Sequence, residues 1–369
     1  MKRCIFYLPY KLDDYGMGAR MIRPRKMIQA FREIGYEVYV ITGVSSDRKR
    51  LIKEIKHRII DGEQYDFMYT ESHTEPTLLT DPHHLPTHPF LDYGFFRFVH
   101  EHGIKIGLFY CDIYWKFELY GKNLPLWKKF GALICYRYDV IEYKKFLNRF
   151  YIPDLKICTY LKEDLLSTIA EELPPGADDL DVEGRIYEGR DFATDPLTIF
   201  YVGGVGKQYQ IVELLKAVYQ TSNLRLILCC RKEEWEKERG ELEDYLCDKI
   251  TIIHKNSGEL EQYYREADIC SLLFKNDEYR EMAKPFKAYE YLAHEIPVLS
   301  TKGTAIGSFV EDNGIGWNIE FDASAISGVL KTLLENPAAL ERMKERCRTV
   351  KKRNLWVNRA EQVVKGLVE

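Results

Sequence analysis

No run of about 18 apolar residues occurs in the 369-residue chain, which excludes a membrane-spanning helix on length. The amino terminus offers only Cys4 to Leu8 before Pro9, too short for the apolar core of a signal peptide, so the chain is expected to stay in the cytosol. The nine cysteines contain no CxxC pair and sit mostly inside apolar runs, which points to reduced, structural thiols rather than a disulfide frame or a zinc site. His73, His83, His84 and His88 crowd a Pro- and Thr-rich stretch without helical ligand spacing, and read as a polar loop, so no metal site is expected. No GK[ST] ending, no complete GxGxxG and no DxD motif between strands is present, so neither a Walker loop nor a standard dinucleotide fingerprint applies. No basic-aromatic platform or reading helix stands out, and nucleic acid is not an expected partner.

What is present is the composition of a folded chain too long for one ordinary core: 46% hydrophobic and 30% charged residues, with 14 Pro and 24 Gly. The net charge of -4 hides an asymmetry. Residues 1–150 hold 24 Lys and Arg against 18 Asp and Glu, whereas residues 151–369 hold 29 against 39. A positive first half on an acidic protein suggests an anionic partner for that half, or simply a solvated surface.

Short runs rich in Ile, Val, Phe and Tyr alternate with segments of helical period, the signature of α/β domains with parallel sheets. Strands are expected near Cys4–Leu8, Glu37–Ile41, Asp66–Thr70, Lys105–Tyr110 and Leu155–Cys158, then near Thr198–Val202, Arg225–Leu228, Ile250–Ile253, Ile269–Leu273 and Val298–Ser300. Between the sets, Pro, Gly and Asp displace the apolar period. The expected division is a first domain over 1–175, a linker over 176–196 and a second domain over 197–351, with a final amphipathic helix within 352–369 that either caps its own domain or crosses back to the first. Two doubly wound, Rossmann-like domains would face each other across a cleft, with ligands at the carboxyl ends of the strands.

Three segments carry candidate chemistry. Gly203, Gly204, Gly206 and Lys207 follow a strand and precede a helix, where glycines let the backbone approach a phosphate; a plain tight turn explains them too. Gly16 and Gly18 follow the first strand in a comparable loop, trailed by Arg20, Arg23, Arg25 and Lys26, which serve equally as phosphate contacts or as a solvated face. In PFKAYEYLAHEIPVLS, Lys287 and Glu290 share a helix face ahead of a strand; a cation and a carboxylate so placed hold a diphosphate and a ribose, or form a surface ion pair.

These residues, together with FYVGGVGKQYQIVELLKAV, LEQYYREADICSLL and LWVNRAEQVVKGL, resemble the GT-B glycosyltransferases of the retaining family 4, group 1, especially its bacterial polysaccharide members. The resemblance implies that Glu290 holds the nucleotide ribose and that Lys207 and Arg231 meet the donor diphosphate, with Pro285 and Lys287 in the same block. It places Asp112 near the donor sugar, and makes Gly16 and Gly18 the loop closing over the phosphates. The catalytic set it implies is Asp112, Lys207 and Arg231. The family's paired-Glu motif meets Met282 where the first Glu belongs, which leaves the groups that hold the sugar open. The activity implied by resemblance is transfer of a sugar from a UDP- or GDP-linked donor to a glycan or polyprenol-linked acceptor in cell-surface polysaccharide synthesis, with retention, without a metal and without a further cofactor. A catalytically silent GT-B scaffold subunit and a nucleotide-sugar epimerase are the alternatives.

Residues 122–150 interleave Trp127, Phe130, Leu133, Phe146 and Phe150 with seven Lys and Arg, as in a helix lying on a membrane surface. Peripheral contact with the anionic inner face of the plasma membrane is one expectation, and a core helix with basic ends the other.

Overall fold

The structure, a computed structural model, describes residues 2–13, 15–16, 18–118, 120–122, 124–182, 191–206 and 209–369. The chain divides into two compact units, Met1–Gly176 with Trp356–Glu369, and Ala177–Leu355.

In the first unit the elements run β1 (Arg3–Tyr7), α1 (Ala19–Glu33), β2 (Glu37–Ile41), α2 (Ser45–Ile60), β3 (Phe67–Glu71), α3 (Leu91–Glu101), β4 (Lys105–Phe109), α4 (Leu126–Phe146), β5 (Arg149–Ile152), α5 (Lys156–Leu161), α6 (Asp164–Thr168) and β6 (Ala170–Glu172). The strands form one parallel sheet in the order β2-β1-β3-β4-β5-β6. The second unit continues with β7 (Leu197–Val202), α7 (Val212–Gln220), β8 (Leu224–Cys229), α8 (Lys232–Glu238), β9 (Ile250–Ile253), α9 (Glu261–Glu266), β10 (Ile269–Leu272), α10 (Phe286–Ala293), β11 (Val298–Thr301), α11 (Ala305–Asn313), β12 (Gly316–Ile319), α12 (Ala323–Glu335) and α13 (Ala338–Lys351). Its sheet, also parallel, has the order β12-β11-β10-β7-β8-β9. Both orders are doubly wound and reverse direction once, at β1/β3 and at β7/β10, and the outer carboxyl ends of those strand pairs are where open α/β sheets bind ligands.

Side chains that alternate along a strand split into two cores. Leu197, Ile199 and Tyr201 of β7 join Leu226 and Leu228 of β8 on one face of the second sheet. Phe200, Ile227, Cys229, Cys270 and Leu272 fill the other. A strand apolar on both faces reads as a continuous apolar run, which is why these strands are visible in the sequence.

The last helix, α14 (Trp356–Val368), buries Trp356, Ala360, Val363 and Leu367 within the first unit. A Cβ on Gly107 of β4 would come within 2.8 Å of Leu367, so the strand needs glycine there for the helix to seat. Gln362 donates to the Glu172 carbonyl at 2.8 Å and Arg359 to the Pro175 carbonyl at 3.3 Å.

One expected strand is wrong. Leu155–Cys158 lies at the start of α5, and the strand is instead Arg149–Ile152, which in sequence looks like the end of the basic segment before it. Phe146 and Phe150 are buried in the core and do not belong to a surface face. Among the described residues no helix is long and apolar enough to cross a membrane.

The first unit also buries charge that no periodicity announces. Arg48 of α2, 2% exposed, pairs with Asp92 of α3 at 2.9 Å, and Asp92 accepts the Tyr7 hydroxyl. Asp139 of α4 accepts from the Thr77 amide at 2.9 Å and the Tyr93 hydroxyl at 2.6 Å. Burial outweighs these two donors and pushes its carboxyl up to about 7. A carboxyl whose folded pKa exceeds its unfolded value binds more protons when folded, so its contribution is present at acid pH and is lost as pH rises from about 4 to about 7. Urea unfolding at pH 5 and pH 8 should therefore show that the stability advantage of wild type over Asp139→Asn shrinks at the higher pH, by on the order of a few kcal/mol. A pH-independent difference would show that Asp139 stays ionised in the fold.

Candidate active site

At the end of β7 the chain turns through Gly203 to Gly206. Tyr201 donates its hydroxyl to the Gly204 carbonyl at 2.5 Å, and a Cβ on Gly204 would come within 2.1 Å of the Tyr209 ring, so only glycine fits under that ring. The amides of Val205 and Gly206 both donate to the Glu234 carboxylate of α8, at 3.0 and 2.8 Å. This pair of backbone donors suits an anion, and the anion there is a side chain of the protein itself. Lys207, expected at the diphosphate, lies outside the described residues. A cavity of about 320 Å³ beside this loop is lined by Val205, Gly206 and Gln210 but also by Glu238 and Glu241, whose charge makes it a poor seat for a phosphate.

Arg231 lies two residues past the end of β8, after Cys230, and is the exposed residue that opens α8. Its position at a strand carboxyl end, next to the glycine loop held by the same helix, is set by Trp235, which anchors α8 in the core.

Pro285 caps α10 in an extended conformation, and proline's fixed φ suits that entry to the helix. One turn in, Lys287 and Glu290 form an ion pair, both partly exposed. Glu290 also accepts from the Tyr264 hydroxyl of α9 at 3.3 Å, and the Tyr264 ring stacks on His294 with centroids 4.0 Å apart. The carboxylate is thus held from two sides while its residue keeps a solvent-facing part, which suits a group that accepts ligand hydroxyls. Met282, where the resembled motif has its first Glu, is 2% exposed and supplies packing rather than charge.

In the first unit the loop after β1 is built around Arg25, which donates to the carbonyls of Gly16 at 2.6 Å and Asp13 at 3.4 Å. Gly16 leaves no room for a Cβ beside Met21, whereas a Cβ on Gly18 would meet nothing within 4 Å. Pro24 lacks the amide that would bond the Arg20 carbonyl, and the Tyr10 hydroxyl takes that acceptor at 3.3 Å. Arg23 is no surface cation: it is buried against Glu71 at 3.2 Å, with its guanidinium 3.5 Å from the centre of the Phe109 ring. Asp112 follows β4 and accepts the Tyr114 amide at 2.8 Å, a local turn that fixes its carboxylate.

Sequence reasoning passes over His73 as a loop histidine. Its ring packs against that of Tyr10, tilted by 51° with centroids 4.7 Å apart, and Nδ1 accepts the Glu75 amide at 3.2 Å; burial, then the charges of Arg20 and His84, lower its pKa to about 4. At neutral pH it is an uncharged ring whose Nε2 carries the proton. Glu234, Tyr264 and the Arg23–Glu71 pair escape a sequence reading as well. Among the described residues no group of three or more His, Cys, Asp and Glu is placed to hold a metal ion.

Residues 185–350 match the model of the family described as glycosyl transferases group 1. No curated protein matches the chain by sequence. Sucrose-phosphate synthase from Thermosynechococcus elongatus is similar in structure at 14% identity, covering 99% of this chain and 98% of its own, with a TM-score of 0.63. Anabaena HepE in complex with UDP is similar at 11% identity, covering 100% and 99%, with a TM-score of 0.65. A putative UDP-N-acetylglucosamine 2-epimerase from Listeria monocytogenes is similar at 11% identity, covering 99% and 95%, with a TM-score of 0.54. The fold is therefore GT-B, in which both doubly wound units recur.

Replacing Glu234 by Ala leaves two loop amides without their acceptor. Urea denaturation should show a loss of about 1–3 kcal/mol, and an unchanged midpoint would mean that the loop does not need the carboxylate.

Proposed function

We propose that this chain is a glycosyltransferase that moves a sugar from a UDP- or GDP-linked donor to a glycan or polyprenol-linked acceptor in cell-surface polysaccharide synthesis, a reading supported by the match of residues 185–350 to the group 1 glycosyl transferase model. The Lys287–Glu290 pair at the head of α10 carries the reading: a cation and a carboxylate side by side, partly open to solvent, in the block that the family uses for the nucleotide. In this reading Glu290 takes the ribose hydroxyls, while Lys287, Lys207 and Arg231 face the diphosphate, with the Gly203–Gly206 turn beside them. Asp112 is assigned to the donor sugar, and Gly16 and Gly18 to the loop over the phosphates.

Transfer breaks the bond between the anomeric carbon and a diphosphate oxygen, joins the acceptor oxygen to that carbon, and passes the acceptor's hydroxyl proton to the departing diphosphate. Charge builds on the leaving group, so fixed cations aimed at it lower the barrier more than they strengthen donor binding. Basic side chains then take the part that a metal ion plays elsewhere, and the anomeric configuration is retained. The likeness to HepE with UDP supports a uridine nucleotide. The enzyme works in the cytoplasm, in peripheral contact with the membrane that carries its acceptor.

A second reading, interconversion of the nucleotide sugar itself, is favoured by the likeness to the Listeria epimerase. A panel of UDP- and GDP-sugars separates the two. Slow release of free nucleoside diphosphate is expected, accelerated by the right acceptor, whereas a new sugar still attached to its nucleotide would favour epimerisation. Glu290→Ala should weaken nucleotide binding by about 1.5–3 kcal/mol in calorimetry, and unaltered affinity would remove Glu290 from the site.

A further inference from the structure

Helix α4 has two faces of opposite character. Ala132, Tyr136, Val140 and Tyr143 bury one of them in the first unit. On the opposite side Leu126, Trp127, Phe130 and Ile134 are 84%, 71%, 66% and 53% exposed. At 100° per residue these four fall within about one quadrant of the helix, so they make one stripe over its first two and a half turns. The stripe is narrower than the sequence suggests, since Phe146 and Phe150 are core. Beside it the Tyr138 hydroxyl donates to the Pro89 carbonyl at 3.5 Å, and the neighbouring Phe90 is 79% exposed.

The rim of this stripe carries one sign of charge. Residues 119–138 contain Lys122, Lys128, Lys129 and Arg137 and no Asp or Glu. Lys122, Lys128 and Arg137 are exposed. Two copies of this chain meeting through the stripe would bring like charges together, whereas a surface of anionic lipid headgroups neutralises them. An exposed tryptophan between lysines on a short apolar face is suited to the boundary of headgroups and acyl chains, and the stripe is far too short to span.

We propose that the amino-terminal half of α4 lies in the headgroup layer of an anionic bilayer, with Leu126, Trp127, Phe130 and Ile134 inserted and the neighbouring lysines and Arg137 on lipid phosphates. This rests on the membrane-borne acceptor proposed above for its purpose, but the surface is measured without any acceptor. The full chain is mixed with vesicles of phosphatidylcholine and phosphatidylglycerol in a two-to-one ratio and sedimented. Binding is expected to these vesicles, to fall sharply on vesicles of phosphatidylcholine alone, and to weaken as salt rises. Trp127→Ser with Phe130→Ser, both at exposed positions, should cut binding by about tenfold or more, while circular dichroism and nucleotide-sugar hydrolysis in solution stay at the wild-type level. Lys128→Glu should lower binding with the apolar stripe intact.

Absence of wild-type binding, or equal binding by the double variant, overturns the proposal. So does a wild-type dimer in light scattering that the double variant dissolves, because the stripe would then be covered by a second copy. Vesicle binding that persists in a protein with no turnover of any nucleotide sugar would support this surface while removing the transfer reaction.

Discussion

Both sheets are parallel and covered on both faces, and that constraint decides where chemistry can occur. A strand such as β7, with Phe200 turned to one core and Ile199 and Tyr201 to the other, buries every side chain from Leu197 to Tyr201. On such a central strand, polar groups reach solvent where the strand ends and the backbone turns. Asp112 follows β4, Arg231 follows β8 and the glycine turn follows β7, each within a few residues of the last ladder position. The reversal of strand order at β1/β3 and β7/β10 then parts the connecting helices to opposite faces, which leaves room beside the loops that follow those strands.

The same turns leave backbone groups without ladder partners, and the protein answers them with its own side chains. Glu234 takes two amides of the glycine turn, Arg25 takes two carbonyls of the loop after β1, and the Tyr10 hydroxyl takes the carbonyl that Pro24 leaves open. Buried groups left unpaired cost more than a paired one returns, so each of these contacts constrains a loop more firmly than its net energy suggests. Asp139 shows the opposite balance. Two donors do not offset its desolvation, and α4 is held to the Thr77 segment by a carboxyl that titrates near neutrality.

The parts of this molecule that depend on local pattern are legible in the sequence. Short strands that are mostly apolar, such as Thr198–Val202 and Ile250–Ile253, announce themselves, and with their alternating helices they indicate the α/β class. Gly316–Ile319 does not, because an edge strand of Gly, Trp, Asn and Ile has no apolar run. Arg149–Ile152 does not, because four residues directly behind a basic helix look like its continuation. The Lys287–Glu290 pair is visible as an i, i+3 spacing. Its partner Tyr264 lies 26 residues away, Glu234 lies 28 from Gly206, and Asp92 lies 44 from Arg48. Contacts at such separations follow from strand order, which a single sequence states only indirectly.

The first unit is discontinuous along the chain. Its sheet and first helices are made from the opening 176 residues, yet the face of β4 beside Gly107 and the Trp356 ring near Arg23 are supplied by α14. During synthesis that face therefore waits, bare and apolar, while all 179 residues of the second unit are translated. The ribosome must release residue 367 before Leu367 can reach its place, so the half made first is the half completed last.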